Sequence, residues 1–184
     1  MNQIMDDETR LRVALEMLKG VIERDVEIPL KTFGLSMRPV IYGGEWIVVR
    51  RAIEAEIRVG DIIIYQAGQG FVAHRVIQRL KKGEQTCFKV KGDAHLASEG
   101  VVSAGQIIAR VVALKKRGRV ISMDQPAWQR ANRIIARYSS AIDHLYRRLP
   151  FRPDRTSLAG RILAAVVRLP PRLLMFAWER ATSV

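Results

Sequence analysis

Between residues 28 and 123, turn-forming glycines recur too closely for helices of useful length to fit between them. Gly43-Gly44, Gly60-Asp61, Gly68-Gln69-Gly70, Lys82-Gly83 and Gly92-Asp93 separate short runs rich in branched and aromatic residues. Those runs are Ile47-Val48-Val49, Ile62 to Tyr65, Phe71 to Ile77, Thr86 to Val90 and Ile107 to Leu114. Many short strands without intervening helices predict a mainly β core, an antiparallel sheet that is coiled or partly barrel-like, rather than βαβ units.

The flanks read differently. Leu11, Leu15, Leu18 and Ile22 are spaced by four, three and four, which predicts an amphipathic helix from about Asp7 to Arg24. Beyond Asp124-Gln125-Pro126 the glycine turns stop and helical composition returns. There, Pro150 to Pro153 and Pro170-Pro171 are expected to break the tail into two or three segments. The expected organisation is an N-terminal helix over 1–27, a β domain over 28–124 and a basic helical tail over 125–184.

A formal charge of +13 calls for an anionic partner. From Gln125 onward eleven arginines face only Asp143, Asp154 and Glu179, a net of +8, which leaves +5 for the first 124 residues. Arg161, Arg168 and Arg172 would form one stripe of a helix, with Leu158, Ile162, Ala165, Val166 and Leu169 on another side. Phe176 and Trp178 beyond the prolines suit a headgroup region. The tail therefore reads as a helix lying on an anionic membrane surface, the alternative being a helical cap on the β core. Without a recognisable reading motif and with few aromatics, it is a poor nucleic-acid binder.

The arginines interrupt the most apolar tail segment, so no spanning helix is expected. Asp6, Asp7 and Glu8 stand where an export signal would be basic. The expected location is cytoplasmic or peripheral to a membrane. Cys87 is the only cysteine, so no intrachain disulfide can form, and its strand-like setting predicts a packed thiol.

Three polar residues could carry chemistry. Ser36, in Gly34-Leu35-Ser36-Met37-Arg38-Pro39, precedes the first strong strand. It could present its hydroxyl beside its own N–H, but a serine is a weak nucleophile without a base in reach. His74 shares one strand face with Val72 and Val76, with Ala73, Arg75 and Ile77 on the other. Its ordinary pKa near 6.5 suits it to accept a proton at neutral pH. Asp93 follows Lys91-Gly92 at a strand end, where a carboxylate could fix the imidazole, and His95 and Glu99 in the same loop are substitutes. Read singly, each has a plainer account: a turn serine, a half-buried strand histidine and a turn aspartate.

Taken together and in order, Gly34 to Pro39, Gly60-Asp61-Ile62-Ile63, Ala73-His74-Arg75-Val76-Ile77 and Lys91-Gly92-Asp93-Ala94-His95 resemble the signal peptidase I family over about residues 33 to 123. The histidine followed by arginine makes the chain similar to the archaeal and endoplasmic-reticulum branch, which uses histidine where bacterial enzymes use lysine. The resemblance implies a serine endopeptidase acting on a peptide or protein precursor, with Ser36 as nucleophile, His74 as base and Asp93 as supporting acid. Glu99 stands at the position of the family's second acid. The resemblance also implies an oxyanion site that includes the Ser36 N–H, and a preference for small side chains before the cut. Met37 could line that pocket, and no metal or organic cofactor is required. Three positions depart from the pattern: Val40 replaces threonine or serine, Gly44-Glu45 replaces Gly-Asp, and Glu99 replaces aspartate.

A competing reading is an inert or self-cleaving regulatory module, since LexA-like repressors share this core. Their base is lysine, however, and the span before residue 28 is short for a helix-turn-helix domain.

Overall fold

The computed structural model describes residues 16–17, 20–22, 24–68, 70–116, 118–150 and 158–181; the side chains of 158–160, 164, 168, 174 and 176–181 are outside that description. Eight described strands form one antiparallel sheet: β1 Ile28–Lys31, β2 Trp46–Arg51, β3 Ile62–Ala67, β4 Gly70–Lys82, β5 Gln85–Lys91, β6 Gly100–Ser103, β7 Ile107–Lys116 and β8 Arg119–Ser122. Their order is β1-β2-β7-β3-β4-β5-β6, with β8 paired to β7. Two helices follow, α1 Pro126–Arg148 and α2 Leu158–Ala181. The class is mainly β, as the glycine spacing predicted. The described sheet does not close into a barrel: its order begins at β1 and ends at β6.

The five runs read from the sequence fall within β2, β3, β4, β5 and β7. Strands β1, β6 and β8, each four residues long, were not singled out in advance. Bulges between Val48 and Val49, Ile64 and Tyr65, and Val76 and Gln78 shift the pairing registers, and such extra residues bend and twist a sheet locally.

Both faces of the sheet are covered. Ile62 and Ile64 pack with Val49, Val111, Trp128 and Ile135 on one side, joined by Ile22 and Met175. Ile63, Tyr65, Val76, Phe88 and Val90 pack on the other. That is why Ile62-Ile63-Ile64 is an unbroken apolar run: neither face needs polar residues there. Burying a side chain such as Ile63 contributes about 1.5–3 kcal/mol relative to leaving it in water. Of the N-terminal stripe, Leu11, Leu15 and Leu18 lie outside the described residues.

Helix α1 begins with Pro126, whose fixed φ and missing N–H suit the first turn. Its buried side chains, Trp128, Asn132, Ile135, Ala136, Ser139 and Asp143, recur at helical spacing along one face. Three of the six are polar, and buried polar groups are normally hydrogen-bonded. Gly60 is held against this helix with φ of +108°, and a Cβ there would come within 2.9 Å of the Arg133 nitrogen. Both its backbone conformation and the close approach require glycine.

The expected break at Pro170-Pro171 does not occur, and α2 runs through both residues. Pro170 cannot donate to the carbonyl of Val166. The Tyr138 hydroxyl on α1 donates to that oxygen instead, at 2.8 Å. Val167, Pro171 and Met175, one turn apart, are buried and hold the helix in place. Ile162, Val166, Leu169 and Leu173 are exposed and lie on the opposite side of the helix from that packed face. No described helix is long and apolar enough to cross a membrane. Cys87 is buried in β5.

Candidate active site

The loop between β1 and β2 carries Ser36. Glycines at 34 and 44 adopt φ of +88° and +94°, conformations open to glycine at little cost. Thr32 closes the loop base: its N–H donates to the Glu45 carbonyl at 2.9 Å, and Gly44 N–H returns a bond to the Thr32 carbonyl at 2.8 Å. Met37, Val40 and Ile41 sink into the core and so anchor the half-buried Ser36 at its rim.

Ser36 is tied directly to the loop after β5. Its carbonyl accepts the Ala94 N–H at 2.8 Å. A Cβ on Gly92 would fall 2.8 Å from the Ser36 carbonyl oxygen and 3.1 Å from both the Ser36 Cβ and His95 Nδ1, so the close approach of the two loops requires glycine. The His95 ring lies edge-on to His74, with centroids 6.0 Å apart. Ser36 makes no side-chain hydrogen bond among the described residues.

His74 sits on β4 opposite Ile63 and is 2 % exposed. Its Nδ1 lies 3.1 Å from Glu99 Oε2 and 2.9 Å from the Tyr65 hydroxyl. The donor and acceptor roles at Nδ1 follow the tautomer; a proton on Nδ1 would face the Glu99 carboxylate, which only accepts, and leave the lone pair on Nε2. Burial pulls the imidazole below its ordinary value despite the opposing pull of Glu99. Burial also disfavours charge on Glu99, but the bond from His95 and the nearby rings outweigh it and hold the carboxyl below its usual range. Burial and Glu99 push the Tyr65 hydroxyl up to about 12, so it remains neutral.

Asp93, expected to face His74, is committed elsewhere. Its Oδ1 and Oδ2 accept from Arg75 Nε and Nη2, each at 2.8 Å. Arg75 Nη1 donates to the Gly60 carbonyl and to Asn132 Oδ1, both at 2.8 Å. Both members of the ion pair are buried. A rigid planar fork of donors, which lysine lacks, can satisfy all these acceptors at once. The acid beside His74 is Glu99, the substitute named from the sequence.

Helix α1 also clasps the loop that carries Glu99. Asp143 Oδ1 accepts the Ser98 N–H at 2.6 Å, and Arg147 Nη2 donates to the Ser98 hydroxyl at 2.7 Å. Burial would raise the Asp143 carboxyl, but Lys89, 2.6 Å away, together with Ser98 and Arg147, lowers it to about 2.

A pocket of about 210 Å³ opens beside Ser36, lined by Met37, Ile41, Tyr42, Phe71 and Val72 among others. Tyr65, Arg75 and Asn132 were not foreseen as parts of the site. An arginine inside the apolar β4 run was the one available signal, since arginine is seldom buried unpaired. Asn132 is 57 residues from Arg75 in sequence, and no local pattern marks it. His95, Glu99 and His74 also form a group whose ligating atoms lie within 4.8 Å of one another. No protein-family model matches the chain, and no curated protein matches it.

Lys91, paired with Arg75 across β4 and β5, is 1 % exposed, and its Nζ has no hydrogen-bond partner among the described residues. Burial lowers its ammonium from 10.5 to about 8, against the pull of Asp93 and Asp143. Between those values the unfolded chain holds a proton that the folded chain has released, so stability rises with pH across that window. Lys91→Met is expected to remove this rise and to be more stable than wild type near neutral pH by about 2–3 kcal/mol. Urea unfolding across the window measures it, and an unchanged slope in the variant contradicts the assignment.

Proposed function

We propose that this chain is a serine endopeptidase of the signal-peptidase type, with Ser36 as nucleophile, His74 as general base and Glu99 as the acid that fixes the ring. The observation that carries this reading is the contact of 3.1 Å between Glu99 and His74 Nδ1, made beside the loop that holds Ser36. With the proton on Nδ1, towards Glu99, Nε2 is the basic nitrogen, the arrangement a Ser-His-acid site requires.

In this reading Nε2 takes the Ser36 proton as Oγ attacks the peptide carbonyl. The C–N bond then breaks, and the imidazolium returns the proton to the leaving amine. Water, deprotonated in turn by His74, releases the acyl group from Ser36. Backbone N–H groups, including that of Ser36, meet the developing oxyanion. Glu99 stabilises the imidazolium, while Asp93 acts as a positioning residue through Arg75. A small pocket with Met37, Ile41 and Phe71 in its wall supports a preference for a small side chain next to the cut.

Incubation with a fluorophosphonate serine probe, and with extended peptides carrying small residues, tests the reading. Wild type is expected to label and to cleave, with Ser36→Ala silent and His74→Ala at least about a hundredfold slower. Wild type that neither labels nor cleaves, while correctly folded, refutes the enzyme reading in favour of an inert module. Release of fragments of the chain itself, lost in Ser36→Ala, favours the self-cleaving one.

The same reading places the enzyme peripherally on an anionic membrane surface. The exposed stripe of Ile162, Val166, Leu169 and Leu173, flanked by exposed Arg161 and Arg172, supports it. An apolar face of this kind enters the acyl boundary while cations meet headgroups. Full-length protein is expected to sediment at low salt with phosphatidylserine vesicles but not with phosphatidylcholine vesicles. Leu169→Glu combined with Leu173→Glu should release it. Wild type that stays in the supernatant with both lipids contradicts the membrane surface.

A further inference from the structure

His74, His95 and Glu99 come from two elements: His74 from β4, and the other two from the loop between β5 and β6. One ligating atom from each lies within 4.8 Å of the other two. A four-coordinate zinc ion with bonds of about 2.0–2.1 Å sets its ligand atoms about 3.3 Å apart, so shifts well within side-chain freedom would gather the three. Two imidazoles and one carboxylate are a donor set suited to zinc and similar borderline cations, and poor for magnesium or calcium, which favour oxygen.

The surroundings also fit an ion. The His74 and His95 rings meet at 66°, edge to face rather than stacked. His74 is fully enclosed, while the His95 and Glu99 side chains are 29 % and 35 % exposed, which opens one side to solvent for entry and for a water as fourth ligand. Glu99 already lies between the two rings, next to His74 Nδ1 at 3.1 Å and hydrogen-bonded to His95 Nδ1. Gly92, with no side chain, keeps the space between His95 and Ser36 clear.

We propose that His74, His95 and Glu99 form a binding site for a divalent transition metal, Zn²⁺ being the best fit, and that the bound ion switches off the Ser36 centre. The inhibitory half rests on the function proposed above. A metal on either nitrogen of His74 removes its use as a base: on Nε2 the ion occupies the lone pair, and on Nδ1 it drives the remaining proton to Nε2. The ion binds deprotonated ligands, so affinity falls in acid.

The test uses the full-length chain stripped with EDTA, with Zn²⁺ binding measured by calorimetry and by metal analysis after desalting, and Co²⁺ as a spectroscopic probe of four-coordination. Wild type is expected to bind one Zn²⁺ per chain. His95→Ala and Glu99→Gln should each weaken binding by about tenfold or more, and Zn²⁺ should suppress serine-probe labelling reversibly. Absence of stoichiometric binding in wild type, or equal binding in both variants, overturns the site. Stoichiometric binding with labelling undiminished overturns the inhibition. If metal-free wild type does not label at all, the Ser36 reading fails, and the stoichiometry and the variants still decide the metal site.

Discussion

The buried guanidinium of Arg75 holds together the parts of the chain that form the site. From β4 it reaches Asp93 in the loop after β5, the Gly60 carbonyl before β3, and Asn132 on α1. Isolating a charge in a protein interior costs several kcal/mol, and only a nearly complete set of partners offsets it. Any arrangement that leaves one of these segments out strands a charge or a polar group, so the node specifies one geometry as well as stabilising it. His74 is the next residue along β4, and its orientation follows from where Arg75 is held.

This explains the division between the two acids. Asp93 is buried and fully engaged by a permanent cation, a structural role that leaves its oxygens no freedom to follow a proton. Glu99 is partly exposed, sits between two histidines and has a carboxyl held low by them. One acid secures the frame and the other faces the two imidazoles. The helical tail completes the frame, since α1 supplies Asn132 to Arg75 at one end and Asp143 and Arg147 to the Glu99 loop at the other. A basic extension that looked separable from the core is thereby part of the support for its site.

Much of this was legible in the sequence, for identifiable reasons. Period-two alternation placed His74 with Val72 and Val76, and the two valines pack together on one face of the sheet. Turn glycines bracketed β3, β4 and β5. The short strands β1, β6 and β8 carry too few residues to show a period and exist through pairing with their neighbours. The proline pair misled because the carbonyl of Val166 finds its donor on another helix. The resemblance put Asp93 ahead of Glu99, and no local pattern reveals that an arginine inside β4 will claim both oxygens of a loop carboxylate. Long-range partners of this kind, Asn132 above all, are fixed only by tertiary packing.

The two acids offer the most direct measurement: initial rates of serine-probe labelling, with thermal midpoints recorded alongside, for metal-free Glu99→Gln and Asp93→Asn. A triad acid that fixes the imidazole tautomer carries a rate effect of about a hundredfold or more, whereas a lost partner of a buried cation appears as lost stability. The account predicts slow labelling at a near-native midpoint for Glu99→Gln, and a clearly lowered midpoint for Asp93→Asn. Wild-type labelling in Glu99→Gln, together with abolished labelling at an unchanged midpoint in Asp93→Asn, would contradict it.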